Sequence, residues 1–110
     1  MIIEVGLTKR HETPAIEYIW DIEIPIDVEK IQKHTQDKML LFYNEYLAKC
    51  FVINNEIEGF RLYVSGLTIA VLAVVKVCIK FNVNLEIVHY NKNTKKWDII
   101  QEIINNNNEV

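Results

Sequence analysis

Leu67 to Phe81 constrains this chain more than any other stretch. It is apolar almost throughout. It contains Ala70 and Ala73 and is too long for a strand despite its valines. Lys76 and Lys80 are four apart and share one helical face. The run reads as a buried helix with a single polar stripe. Before it, Phe60 to Ser65 is a strand that Gly66 breaks. After it, Asn82 and Asn84 flank a short turn, and Leu85 to Tyr90 is a second strand. Strand, helix and strand in that order make a β-α-β unit. Its strands are expected to be parallel and its crossover right-handed.

The other segments are shorter. Ile2 to Thr8 is a strand, and Lys9 to Pro14 is a charged turn. Ala15 to Ile24 alternates, with Ile16, Tyr18, Trp20, Ile22 and Ile24 on one face and Glu17, Asp21 and Glu23 on the other. Lying close in sequence, these two strands are expected to form a hairpin. The aromatic face of the second reads as core or as a dimer interface. Pro25 stops that strand, and Asp27 is an N-cap for a helix from Val28 to about Thr35. Met39, Tyr43, Tyr46, Leu47 and Cys50 repeat at helical steps. Whether one helix covers both stretches or Thr35 caps a second is left open by the spacing. Asn91 to Lys95 is a hairpin turn, Lys96 to about Ile104 the last strand, and residues 105–110 a polar tail expected to be disordered. The result is a single α/β domain over residues 1–104. It has a mixed five-stranded sheet, in the order β-β-α-β-α-β-β.

Composition excludes several roles. The chain has 110 residues, enough for one domain with its own core. A net charge of −3 does not suit a duplex DNA or RNA binder, whose backbone contacts need a basic face. A nucleotide partner is expected to be small and held in a local pocket. Cys50 and Cys78 sit among apolar residues, as buried free thiols in a reducing cytoplasm would. Met1-Ile2-Ile3-Glu4 lacks the basic region of a signal peptide. No run reaches bilayer length, so no membrane role is expected. His11, His34 and His89 show no ligand spacing, so no metal or other cofactor is expected from the residues.

Chemistry is expected at the carboxyl ends of the parallel strands, where open α/β sheets bind ligands. Ser65-Gly66 follows one strand and His89-Tyr90-Asn91 ends its neighbour. Gly66 allows close backbone approach. The N–H groups of Leu67, Thr68 and Ile69 open the helix with partial positive charge and suit a phosphate. Ser65 and Thr68 add hydroxyls. His89 offers a proton carrier and Tyr90 a ring. The same residues also fit plainer roles. Ser65 and Thr68 can cap the helix, His89 can bond a loop carbonyl, and Lys76 and Lys80 can form a solvated stripe. His11 reads as solvated and His34 as a complement to its helix dipole.

Ile16-Glu17-Tyr18-Ile19-Trp20-Asp21-Ile22-Glu23-Ile24-Pro25-Ile26 comes first. Leu62-Tyr63-Val64-Ser65-Gly66, the apolar helix, Leu85-Glu86-Ile87-Val88-His89-Tyr90 and Trp97-Asp98-Ile99-Ile100-Gln101 follow. This succession resembles the small CRISPR-associated proteins of type III systems that bind cyclic oligoadenylate. These are distant relatives of the CARF sensor domains, and some are ring nucleases. The likeness covers most of residues 1–104, with a longer stretch at about 36–58.

The resemblance implies a CARF-like fold in which the Ser65-Gly66 corner holds phosphates and the helix from Leu67 lines the ring. It also implies catalytic side chains near His89-Tyr90-Asn91 and a homodimer or larger assembly completing a symmetric site. Asn91 and Lys80-Phe81-Asn82 depart from the aspartate and histidines of the ring-nuclease type, which puts its metal-dependent cleavage in doubt. In a metal-free route a ribose 2′-hydroxyl attacks the adjacent phosphorus, with His89 as acid or base and Lys76 or Lys80 facing the phosphate. The competing expectations are a homodimeric protein-interaction module and a binder of another phosphate-bearing metabolite.

Overall fold

The computed structural model describes residues 1–9, 12–21, 24, 27–64 and 68–104. The elements are β1 (Ile2–Thr8), β2 (Glu17–Trp20), α1 (Val28–Ile53), β3 (Gly59–Tyr63), α2 (Thr68–Lys80), β4 (Leu85–Asn91) and β5 (Lys96–Ile103). The five strands form one mixed sheet in the order β2-β1-β3-β4-β5. β3 and β4 are parallel on either side of α2, as the β-α-β reading requires. β1 pairs in parallel with both β2 and β3, and β5 pairs antiparallel with β4.

The expected hairpin between the first two strands does not form. Val5 lies opposite Glu17 and Thr8 opposite Trp20, both strands running the same way. The chain therefore comes back to the level of Val5, midway along β1, before β2 starts. Thr13 stabilises that return: its Oγ1 accepts the Ala15 N–H at 3.1 Å and lies 2.8 Å from the Tyr18 hydroxyl. Gly6 makes room for it, since a Cβ there would lie 2.6 Å from the Tyr18 ring. The strand is also shorter than the alternation of residues 15–24 predicts. Ile16 lies outside it and is 69% exposed, whereas Trp20 is buried. Ile22 is outside the described residues.

One helix covers both helical stretches after Pro25. Asp27 Oδ1 accepts the N–H groups of Glu29 and Lys30 at 2.9 and 3.3 Å. Ile31, Thr35, Met39, Phe42, Tyr46 and Cys50 make one buried stripe at steps of three and four. Thr35 is thus a buried mid-helix residue, not a cap. Asn54 ends α1 with φ 55°, a left-handed geometry that asparagine tolerates better than most residues.

Both helices pack on the same face of the sheet. Ile3, Val5 and Leu7 of β1, Phe60 and Leu62 of β3, and Leu85 and Ile87 of β4 share one core with α1 and α2. Each such aliphatic side chain, fully buried, contributes about 1.5–3 kcal/mol. No helix among the described residues is long and apolar enough to cross a membrane.

Candidate functional site

β1, β3 and β4 end at the same edge of the sheet, because all three are parallel. The ladder continues past β3, where Val64 N–H donates to Val88 O at 3.0 Å. Four positions on, Thr68 opens α2 and is exposed. The first turn of α2 contains no acidic residue. The partial positive charge of this helix start is therefore not offset from within its own turn. Ser65, Gly66 and Leu67, the centre of the sequence prediction, lie outside the described residues, as does His11. Thr8 ends β1 at the same edge; it is buried, and its Oγ1 has no hydrogen-bond partner among the described residues.

His89, Tyr90 and Asn91 extend β4 beyond its pairing with β3. Strand alternation puts His89 on the helix side, in line with Leu85 and Ile87, and it is exposed. Tyr90 falls on the opposite face. Its ring meets Trp97 edge-on at 5.5 Å, and Trp97 meets Tyr63 edge-on at 5.2 Å. Asn91 holds the β4–β5 turn: its Oδ1 accepts the N–H groups of Asn93 and Thr94, and its Nδ2 donates to Asp98 at 3.1 Å.

The two lysines are elsewhere. Lys76 and Lys80 line a groove of 180 Å³ between the helices with Gln32, Gln36, Ala73 and Val77. Lys80 Nζ donates to Gln36 Oε1 at 3.3 Å. At 1.5 Å per residue they stand about 12 and 18 Å along the axis from Thr68. The far end of α2 lies by the start of β3, where Val77 and Cys78 line one cavity with Phe60. Lys80 and His89 therefore sit at opposite edges of the sheet, and one chain does not assemble them into a catalytic group.

His34 does not complement a helix end. It lies within α1, stacks on Trp20 at 5.1 Å, and its Nε2 is 2.7 Å from Ile19 O. Trp20 is thereby fixed in the core, which removes it as an interaction surface. Cys78 is buried, and burial pushes its thiol up to about 12, which leaves it unreactive at neutral pH. Among the described residues no three His, Cys, Asp or Glu side chains gather as a metal would require.

A second polar group was not foreseen. On the helix-free face, Arg61 Nε donates to Glu86 at 2.7 Å and Arg61 Nη1 to Glu4 at 3.2 Å. The Tyr63 hydroxyl also donates to Glu4, at 2.7 Å. The hydrogen bond to Glu86 is the largest influence raising the Arg61 pKa. The row depends on the register that sets Arg61 beside both Glu4 and Glu86. No local spacing encodes that register; only the isolated arginine within an apolar strand hinted at a partner.

Fold and edge together define a two-layer α/β domain with a helix start at the carboxyl ends of its parallel strands. No protein-family model, curated protein or solved structure matches the chain.

Proposed function

We propose that this chain binds a cyclic oligoadenylate at the carboxyl edge of β1, β3 and β4, with a phosphate against the start of α2. One observation carries the reading. The start of α2 lies where three parallel strands end, and its first turn lacks an acid, whereas α1 begins with Asp27 and Glu29. An anion is the natural complement of such an end. The resemblance to the CRISPR-associated binders of cyclic oligoadenylate supplies the ligand class, and its symmetry calls for more than one copy of the chain around the ring.

In this proposal Thr68 contributes a hydroxyl to the phosphate and Tyr90 a ring at the rim. His89 is the candidate acid or base for ring opening by a 2′-hydroxyl. Lys76 and Lys80, at the other end of α2, have no part in a site built within one chain.

Thermal unfolding with cyclic tri-, tetra- and hexa-adenylate tests the proposal, with linear oligoadenylate and inorganic phosphate as controls. Ligand at a hundred times its Kd adds about 2.7 kcal/mol, or on the order of ten degrees in Tm for a domain this small. Thr68→Asp places a carboxylate in the first turn of α2 and is expected to abolish the shift while leaving the unliganded Tm unchanged or higher. No shift with any ring overturns the proposal. A shift with inorganic phosphate alone replaces the ring with a simpler anion. Chromatography after incubation then reads ring opening. Cleavage by His89→Ala at the wild-type rate removes His89 from the reaction.

A further inference from the structure

Val77 lines two openings along the seam where α1 and α2 meet. One is the groove of 180 Å³ that holds Gln32, Gln36, Lys76 and Lys80. The other is a cavity of 340 Å³ bounded by Met39, Tyr43, Phe60, Cys78 and Phe81. The two follow one another. Gln36 of the groove and Leu40 of the cavity are one turn apart on α1. Lys80 ends α2 and Phe81 comes next in the chain. The Lys80 Nζ lies 5.5 Å from the centre of the Phe81 ring, which sets an ammonium group at the boundary.

The openings differ in chemistry. Protein interiors pack with few voids larger than a water molecule. Here the buried Met39, Phe60 and Cys78 line a space within the size range of small-molecule sites. Its walls are mainly aliphatic, aromatic and sulfur-bearing, and methionine reshapes readily around an apolar guest. The groove is cationic. Among the described residues neither Lys76 nor Lys80 makes an ion pair, and no carboxylate lines either opening. Asp37, next to Gln36 in the chain, is bound by Lys33 at 3.1 Å. Lys80 is held by Gln36, whose Oε1 accepts from its Nζ at 3.3 Å.

An apolar cavity with uncompensated positive charge at one end complements an amphiphile with a negative head. We propose that the α1–α2 seam binds a medium-chain fatty acid, with its alkyl chain in the cavity and its carboxylate at Lys80. One ammonium at the boundary matches the single charge of a carboxylate. Lys76, one turn back on α2, adds to the positive field of the groove. From Gln36 to Tyr43 the seam runs about 10 Å along α1, the reach of a chain of about eight to ten carbons. The cavity lies by the end of α2, and Thr68 opens the other end of that helix. The proposal therefore stands apart from the ligand site at the carboxyl edge and holds or fails without it.

Calorimetric titration of the full chain with sodium decanoate tests the inference, with octanoate, acetate and decylamine alongside. Decanoate is expected to bind once per chain. Octanoate should bind about fifteenfold more weakly, since each buried methylene contributes about a factor of four. Acetate and decylamine should show no saturable binding. Lys80→Met keeps an apolar stem and removes the charge. It should weaken decanoate binding at least fivefold while leaving the far-UV spectrum unchanged. Methyl-labelled methionine locates the site, because the two methionines are Met1 and Met39. The Met39 methyl resonance should move with decanoate and the Met1 resonance should not. Any of four results overturns the inference: no binding of decanoate, decylamine or octanoate binding as tightly as decanoate, wild-type affinity in Lys80→Met, or a Met39 methyl resonance that stays still.

Discussion

Phe60 and Leu62 point to one side of β3, Arg61 and Tyr63 to the other, and the two sides are built on different physics. On the helix side Leu62 is wholly removed from water among aliphatic neighbours from two helices and two strands. On the other side Arg61 and Tyr63 are held by directed bonds to Glu4 and Glu86. Burial is non-directional and tolerates a range of shapes. The polar row needs one register of three strands. The helix side thus accounts for most of the folding energy, while the row favours one alignment of β1, β3 and β4, the strands whose ends form the candidate site.

The largest expected effect is on the helix side. Leu62→Ala removes a fully buried side chain between the sheet and the helices and should cost about 2–5 kcal/mol in urea unfolding. Arg61→Met keeps the stem and removes the charge. Its side chain is 29% exposed and those of Glu4 and Glu86 are 26% exposed, so water partly compensates the stranded carboxylates. The expected cost is about 1–2 kcal/mol, between the values for exposed and buried pairs. Salt sharpens the contrast. In 1 M NaCl the Arg61→Met penalty should shrink, because the screening length falls to about 3 Å, and the Leu62→Ala penalty should not. An Arg61→Met penalty as large as that of Leu62→Ala, and indifferent to salt, would break the distinction.

The same division separates what the sequence revealed from what it hid. The apolar run of α2 between two short strands was legible, because burial writes itself as periodicity along the chain. So was the start of α1 at Asp27, a cap that acts over three residues. β2 was misread because alternation over residues 15–24 looks the same in a hairpin as in a parallel edge strand. What decides is where the chain re-enters the sheet, and here Val5 lies beside Glu17. The Arg61 row was hidden for a related reason, its members lying 57 and 25 positions apart. At the candidate site, the edge holding Thr68 and His89 followed from the β-α-β order alone. The placement of Lys80 at the opposite edge follows from the length of α2, whose last turns share a cavity with Phe60 at the start of β3.

The smallest effect isolates one bond of the row. Tyr63→Phe removes the hydroxyl that donates to Glu4 and leaves the ring against Trp97. The loss should be about 0.5–1.5 kcal/mol at neutral pH. Burial first, and then the bond to Glu4, raise the Tyr63 pKa above its ordinary value of 10.0, with Arg61 opposing. The folded protein therefore holds this proton more tightly than the unfolded chain does. The stability so gained is complete below pH 10 and is lost as pH rises through the folded value. The gap between wild type and Tyr63→Phe should accordingly be constant from pH 7 to 9 and narrow above pH 10. Tyr46, whose pKa burial also raises, titrates in both proteins and cancels in the difference. A gap that stays constant to pH 11 would mean that Tyr63 contributes to the helix-free face by packing alone, and the row would reduce to Arg61 and its two carboxylates.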